Sequence, residues 1–497
     1  LGIPQMTRRY ARAWFSAMHD AHANAVRLHA EPYPEFYLDV ADEMGIMVLD
    51  ETAIWASDGG PKLDSIAFWQ DTKSHVAQLV MRDRNHPSVF GWSVCNEVKP
   101  VIMNVFHGPP EMLQTLYEYY STWAGIVHQL DPTRQWISAD GDGDGGGRLP
   151  VNMLHYGGTD SMIQAQKLGK PWGVGESGGA YYATPEQVAK TNGERAYVSF
   201  EGRMEGIAIE AYQNLVDERK YDADYRSVFN LVWYGLRPLP LGMPDTSRPP
   251  ELSDGVFFPT FEEGKPGVQP ERLGPYSTTL NPGYDPALKS YETWRLFDAI
   301  KDANSEPVVK LPWTAEPAVY GDSLSTKVKS VQSISVLSGP NGELERQLLA
   351  AGIPRNLLYD DSPELLFIDG RTPPDGTASS VVEAALGKGA TVVVWGMEPK
   401  TLPQLNALLP APIEITDRQS SSLLPSTASS VTAGLKPSDL YFSECSPQII
   451  LDGGLSGPLA EQGTVLLEAA NTDWLKWNKE AEYAKTAMVL RSERESK

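Results

Sequence analysis

Cysteine is almost missing from this 497-residue chain, which holds only Cys95 and Cys445. That excludes a disulfide framework and any metal centre built on several thiolates. Basic residues are the minority, 42 Lys and Arg against 64 Asp and Glu, for a net charge of −22. Phosphate backbones and anionic membranes are bound by clustered cations, so neither nucleic acid nor membrane is an expected partner. No apolar run approaches the roughly 18 residues of a membrane-spanning helix. The chain opens Leu1-Gly2-Ile3-Pro4 and closes Arg494-Glu495-Ser496-Lys497. It reads as part of a longer protein, with any secretory signal lying upstream.

What is present suits a globular α/β protein of two or three domains: 41% of residues are hydrophobic and the charge content is ordinary. Short apolar strands alternate with helical patterns. The strand candidates are Ala25–Leu28, Ile46–Glu51, Val89–Val94, Gln135–Ala139, Val151–Tyr156, Trp172–Glu176 and Ser227–Trp233. Helical spacing marks Thr7–Ala21, Phe36–Met44, Trp69–Met81 and Leu113–Leu130, and a closing helix is expected over Tyr291–Ile300. Seven strands in βα alternation imply a parallel sheet with helices outside. One more strand would close a (β/α)8 TIM barrel, and its expected place is just before Leu1. The Pro- and Gly-rich segment Leu236–Pro286 is expected to be a long loop walling the site.

These features divide the chain into a barrel over residues 1–306, a linker over 307–330 and a smaller Rossmann-like domain over 331–497. In the last, strands Ile334–Leu337, Leu365–Asp369 and Ala390–Trp395 alternate with helices near Leu344–Ala351 and Ser379–Leu386. Its first turn, Ser338-Gly339-Pro340-Asn341-Gly342, lacks G-x-G-x-x-G spacing, so no dinucleotide is expected there. The Ser-rich stretch Ser420–Ser430 reads as a loop.

Chemistry concentrates at strand ends. Asn85-His86-Pro87-Ser88-Val89-Phe90-Gly91-Trp92-Ser93-Val94-Cys95-Asn96-Glu97 is a buried strand that ends on an amide and a carboxylate. A carboxylic acid held beside a hydrogen-bonding amide at the C-terminal end of a barrel strand suits proton donation to a leaving oxygen. Glu176 likewise ends a strand, and the small residues Ser177-Gly178-Gly179 after it leave room for a ligand; a structural carboxylate in a Gly-rich turn is the alternative. His155 and Tyr156 alternate, so a regular strand turns only one of them inward. Asp140-Gly141-Asp142-Gly143-Asp144-Gly145 resembles the opening of a calcium loop. Its twelfth position is Val151, so the EF-hand match fails and a flexible acidic loop is expected, with a bound cation left open but not predicted.

Taken together, Asn24-Ala25-Val26-Arg27, Gly45–Glu51, the Asn96-Glu97 strand and Lys170–Gly179 resemble, in order and spacing, the catalytic barrel of glycoside hydrolase family 2. The resemblance runs from Asn24 to about Tyr234. It implies a retaining double displacement with Glu97 as acid/base and Glu176 as nucleophile, and needs no cofactor. It further implies that Asn96 binds the sugar 2-hydroxyl and that Arg27 orients Glu176 and lowers its pKa, a structural ion pair being the alternative for Arg27. Tyr156, at the end of the strand before that of Glu176, is a candidate hydrogen-bond partner of Glu176, a packed Tyr being the alternative. Trp233 is a candidate platform under a sugar ring. Asp50 and Glu51 are candidates for contacts to sugar hydroxyls or for support behind them.

The family's galactosidases place Ser-His-Tyr-Pro after the Arg, whereas Leu28-His29-Ala30-Glu31-Pro32 stands here. On a strand, a shift of one residue flips a side chain to the other face, which weakens the sugar contact expected of His29. An Asn-x-Lys pair, as glucuronidases use against a sugar carboxylate, does not occur in the sequence. The second domain resembles amidotransferase-like or flavodoxin-like modules. Neither Cys445 nor Cys95 stands on the strand-to-helix elbow that amidotransfer needs, so a non-catalytic role at the site or at a homo-oligomer interface is expected.

The expected function is a retaining exo-β-glycosidase, β-galactosidase-like, acting on an oligosaccharide or glycoside. Mannosidase, glucuronidase or arabinosidase specificity, or a non-catalytic carbohydrate-binding barrel, are the alternatives. An isomerase or lyase would need a metal cluster or Lys base that the sequence does not offer. A secreted or periplasmic location follows from the substrate class alone.

Overall fold

The computed structural model describes residues 7–55, 63–178, 185–198, 200–231, 278–280, 291–310, 331–353, 361–420, 422–427, 429, 432, 434–440, 451–470 and 484–490. The chain divides into two compact units, Leu1–Pro317 and Ala318–Lys497.

The first unit alternates helix and strand: α1 Arg8–Asp20, β1 Ala25–Arg27, α2 Glu35–Met44, β2 Met47–Glu51, α3 Ile66–Asp83, β3 Val89–Asn96, α4 Val98–Asn104, α5 Pro110–Leu130, β4 Trp136–Asp140, β5 Asn152–His155, α6 Thr159–Lys167, β6 Trp172–Ser177, α7 Pro185–Asn192, α8 Arg195–Val198, α9 Phe200–Lys220 and β7 Tyr225–Val228. Strands β1 to β4 pair in parallel and in sequence order, as do β5 to β7. Strand β4 borders β5, and β7 borders β1, so the strands run around a ring with helices packed outside. This is the TIM-barrel class, and every parallel strand delivers its C-terminal end to the same rim.

Local chemistry explains the elements. Thr7 caps α1 by accepting the Tyr10 N–H at 3.1 Å, and α2 stops at Gly45, whose φ of 72° ends the helix in the left-handed region. The helix layer packs on the outer faces of the strands through a core that includes Phe15, Tyr37, Leu38, Val48, Trp92 and Trp123. Each such side chain, fully buried, contributes roughly 1.5–3 kcal/mol. Inside the ring, the Phe90, Trp136 and Tyr225 rings meet at centroid distances of 5.7–6.2 Å, among Leu49, Val151 and Met153. The barrel is therefore a packed core below its rim.

After β7 the structure departs from the expected loop and helix. Thr278–Leu280 (β8), inside the segment read as a loop, pairs antiparallel with Tyr291–Thr293 (β9). The closing helix α10 is shifted to Arg295–Asn304, because Tyr291–Thr293 is spent on that pairing. The rest of the Leu236–Pro286 wall lies outside the described residues.

In the second unit, β10 Ile334–Leu337, β11 Leu365–Asp369 and β12 Thr391–Trp395 form a parallel sheet in that order. They alternate with α11 Leu344–Ala350, α12 Ser379–Gly387 and α13 Leu402–Asn406. Leu366, Ile368, Val382, Ala385 and Leu405 form its core. The Rossmann-like pattern stops there. β13 Glu414–Ser420 pairs antiparallel with β15 Leu451–Ser456. β14 Ser422–Pro425, within the stretch read as a loop, pairs with β16 Thr464–Ala470, which pairs with β17 Ala484–Leu490; α14 spans Pro458–Gln462. The apolar Leu423 and Leu424 supply the strand character that the surrounding serines mask. Cys445 lies outside the described residues.

Candidate active site

The rim of the barrel gathers the strand-end residues into one cluster. Strand β3 runs through Asn96, and Glu97 then takes φ 49°, a left-handed conformation that costs a non-glycine residue about 1–2 kcal/mol. Two backbone bonds hold it: Asn96 N–H donates to Ile54 C=O at 2.9 Å, and Glu97 N–H to Asp140 C=O at 2.8 Å. The turn presents the Glu97 carboxyl to the barrel mouth, 32% exposed. Its Oε1 lies 2.9 Å from His155 Nδ1.

Glu176, on β6, is the buried counterpart, with a side chain 5% exposed. Arg27 donates to its Oε1, and the Tyr156 hydroxyl donates to its Oε2 at 2.5 Å. His29 Nδ1 and His155 Nδ1 stand 3.5 and 3.7 Å from Oε1. Burial alone would raise this carboxyl's pKa, but His155, Arg27, His29 and the Tyr156 bond outweigh it and hold the group below its usual range. One oxygen each of Glu97 and Glu176 and a ring nitrogen of His155 all lie within 4.8 Å of one another.

Arg27 organises the rest. Its guanidinium donates to Glu51 Oε1 and Oε2 at 2.8 and 2.7 Å and to Asn96 Oδ1 at 3.1 Å, and its Nε stands 3.4 Å from Asp140 Oδ1. Asn96 thus spends its carbonyl on Arg27 and leaves its NH2 end for another acceptor. Gly175 makes this crowding feasible: a Cβ there would sit 2.1 Å from Asp140 Oδ1 and 3.0 Å from His155 Nε2.

Several expectations need correction. His155 and Tyr156 both reach the carboxylates, because β5 ends at His155 and Tyr156 turns to φ 50°, where strand alternation no longer applies. For the same reason the displaced His29 is not flipped away. Strand β1 ends at Arg27, Ala30 takes φ 56°, and the His29 ring faces Glu176 and Glu51 and meets Phe229 edge-on. Alternation does hold within β2, so Asp50 points away from the site; burial, and then the neighbouring Asp83, push its pKa well up. Glu51 is fully buried and accepts from Arg27, from Ala30 N–H at 2.5 Å and from Ser93 Oγ at 2.6 Å, so it supports Arg27 instead of meeting a sugar. Trp233 lies outside the described residues.

The carboxylates of the acidic loop diverge. Asp140 faces Arg27 and His155. Asp142 accepts from Tyr120 OH at 2.6 Å and Lys99 N–H at 3.0 Å, and Asp144 accepts from Lys170 Nζ at 3.0 Å. The donor set close enough to hold a metal ion among the described residues is instead Glu97, His155 and Glu176. The positive charge of Arg27 beside that set opposes a further cation.

Two residues escaped the sequence reading. Asp140 was absorbed into the calcium-like motif, although it directly follows a strand. Trp55 forms an isolated parallel bridge with Asn96 and is 40% exposed. Bridged partners turn their side chains to the same side, so this indole stands on the Asn96 side of the rim. Its signal was a Trp four residues after Glu51, at a strand's C-terminal end.

Known proteins share this region. Residues 6–145 match the family model of the glycosyl hydrolases family 2, TIM barrel domain. The chain is 30% identical over 168 residues to a putative beta-glucuronidase of Formosa agariphila, covering 33% of this chain and 14% of that one. It is 28% identical over 117 residues to a beta-galactosidase of Thermoanaerobacterium thermosulfurigenes (23% and 14%). It is 32% identical over 112 residues to a beta-glucuronidase of Canis lupus familiaris (22% and 15%). The chain thus spans about one seventh of the length of the curated relatives it matches.

Proposed function

We propose that the first unit is the catalytic barrel of a retaining β-glycosidase, with β-galactosides the leading substrates. The observation that carries this reading is the pair Glu97 and Glu176, whose oxygens approach within 4.8 Å. Retaining enzymes hold their carboxyls about 5–5.5 Å apart, whereas inverting ones leave about 6.5–9.5 Å for a water. The two environments also differ as the two roles require. Glu176 is buried, cation-bound and held ionised, while Glu97 stands at the mouth where a leaving group departs.

In the first step Glu176 attacks the anomeric carbon, the bond to the leaving oxygen breaks, and that oxygen takes the Glu97 proton. In the second, water attacks the same carbon and gives a proton to Glu97, and the ester bond returns its electron pair to Glu176. Asn96 would hold the 2-hydroxyl through its NH2 end, and Trp55 would lie under a sugar ring at the rim.

β-Glucuronides are the second reading, supported by the names of the Formosa and canine relatives. The lack of an Asn-x-Lys pair in the sequence weighs against it. We read the second unit as a non-catalytic accessory, and its likeness to amidotransferase-like modules rests on β10 to β12 alone. The test is a panel of 4-nitrophenyl β-glycosides (galactoside, glucuronide, mannoside, glucoside, arabinoside) with the full chain. Turnover abolished by Glu176→Ala and lowered about 10²–10⁴-fold by Glu97→Gln supports the reading. A well-folded chain that binds sugars without cleaving any would overturn it.

A further inference from the structure

Among the described residues, His155 is an ionisable group in contact with each of the two proposed catalytic carboxyls, and neither reaction step above uses it. Its side chain is 4% exposed. Nδ1 lies 2.9 Å from Glu97 Oε1 and 3.7 Å from Glu176 Oε1, and Nε2 lies 3.8 Å from Asp140 Oδ1. The ring fits between two positions without side chains: a Cβ on Gly141 would stand 2.8 Å from Nδ1, and one on Gly175 3.0 Å from Nε2.

We propose that His155 is a positioning residue that acts as the fixed countercharge of the double displacement, pairing with whichever of Glu97 and Glu176 is ionised. The inference rests on the glycosidase reading of this site. The first step needs the negative charge on Glu176 and a proton on Glu97. In the glycosyl-enzyme Glu176 is a neutral ester, and Glu97, having given its proton to the leaving oxygen, is the carboxylate. One negative charge has crossed the gap between them, and a cation in reach of both ends need not move to follow it. Arg27 reaches Glu176 but is otherwise committed to Glu51, Asn96 and Asp140, and His29 reaches Glu176 and Glu51. Burial opposes an imidazolium here, but the charge of Glu176, the adjacent Asp140 oxygen and the hydrogen bond to Glu97 Oε1, which a protonated carboxyl also accepts, outweigh both that and the repulsion of Arg27, and hold the ring's pKa at about 9. His155 is therefore charged at neutral pH, as the role requires.

The test compares the wild-type chain with His155→Gln, which keeps a polar side chain and removes the charge. Substrates are the 4-nitrophenyl and 2,4-dinitrophenyl β-glycosides of the sugar that the wild type cleaves. Loss of the cation raises the pKa of Glu176. The variant is expected to move the acidic limbs of kcat and of kcat/KM to higher pH by about one unit. It is also expected to slow deglycosylation about tenfold or more, seen as a burst of dinitrophenolate followed by a slow steady state with lowered KM. Unmoved limbs, whether activity falls evenly or stays unchanged, overturn the inference alone. A wild-type chain inert on the whole panel overturns the glycosidase reading and this inference with it. Should His155→Gln not fold, histidine ¹⁵N shifts of the wild type decide. An imidazolium at pH 7.5, before and after trapping with the 2-deoxy-2-fluoro glycoside, supports the role, and a neutral ring in either state refutes it.

Discussion

Tyr156 donates its hydroxyl to Glu176 Oε2 at 2.5 Å from a backbone turned to φ 50°. A hydrogen bond to a charged acceptor is worth about 1.5–3 kcal/mol, so Tyr156→Phe is expected to lower kcat roughly 10- to 100-fold. Because the bond favours the ionised carboxyl, its loss raises the Glu176 pKa. The acidic limb of the kcat/KM profile on aryl β-glycosides should move to higher pH.

Glu51 titrates with the fold. Burial opposes its charge, yet Arg27, His29 and Ser93 outweigh burial and hold its pKa at about 2 against an ordinary 4.5. The folded-state value is the lower one, so the stabilisation is present above 4.5 and lost as pH falls through about 2. Its size is on the order of 3 kcal/mol. Urea unfolding should find Glu51→Gln less stable than wild type at pH 7, with the difference shrinking toward pH 2.

Asp50 has the opposite sign. Burial and the neighbouring Asp83 disfavour its charge, and Arg82 binds Asp83 at 2.6 and 2.7 Å. Its folded pKa is raised, so its contribution is full below the ordinary 3.8 and declines as pH rises. Asp50→Asn cannot ionise, and it is expected to gain about 1 kcal/mol over wild type at pH 8 and little at pH 4. An equal effect at both pH values would contradict the buried-acid account.

Trp55→Ala removes a half-exposed indole at the rim without touching either carboxyl. If the ring carries a sugar, KM for a disaccharide or longer substrate should rise about tenfold, with kcat changed far less. Inhibition by a monosaccharide product offers a second readout of the same contact.

Six of the seven barrel strands were legible because each is an apolar run ending in a polar residue, and Asn96, Glu97 and Glu176 were legible as those endings; the seventh, Tyr225–Val228, meets the expected Ser227–Trp233 only at Ser227 and Val228, because Arg226 and Ser227 break its apolar run. What failed was reasoning by alternation beyond the last strand residue. His29 and Tyr156 both sit past a strand end, where a positive φ at Ala30 or at Tyr156 itself redirects the chain. Within β2 the same alternation works, and it separates Glu51 from Asp50. Strand β8 was missed because a three-residue strand in a Pro- and Gly-rich stretch has no period to read. Asp140 was hidden by a motif match that looked at neighbours in sequence, when its partners Arg27 and His155 arrive from other strands.

Gly175 has a consequence for how this protein can vary. It carries no charge and has no side chain to offer a sugar, yet a methyl group there would displace the Asp140 carboxylate and crowd His155. A saturation scan scored on turnover would find position 175 as intolerant as Glu176, the proposed nucleophile beside it. Divergence in specificity is thereby steered to the loops above the rim, where a residue can change without entering the space this glycine leaves empty.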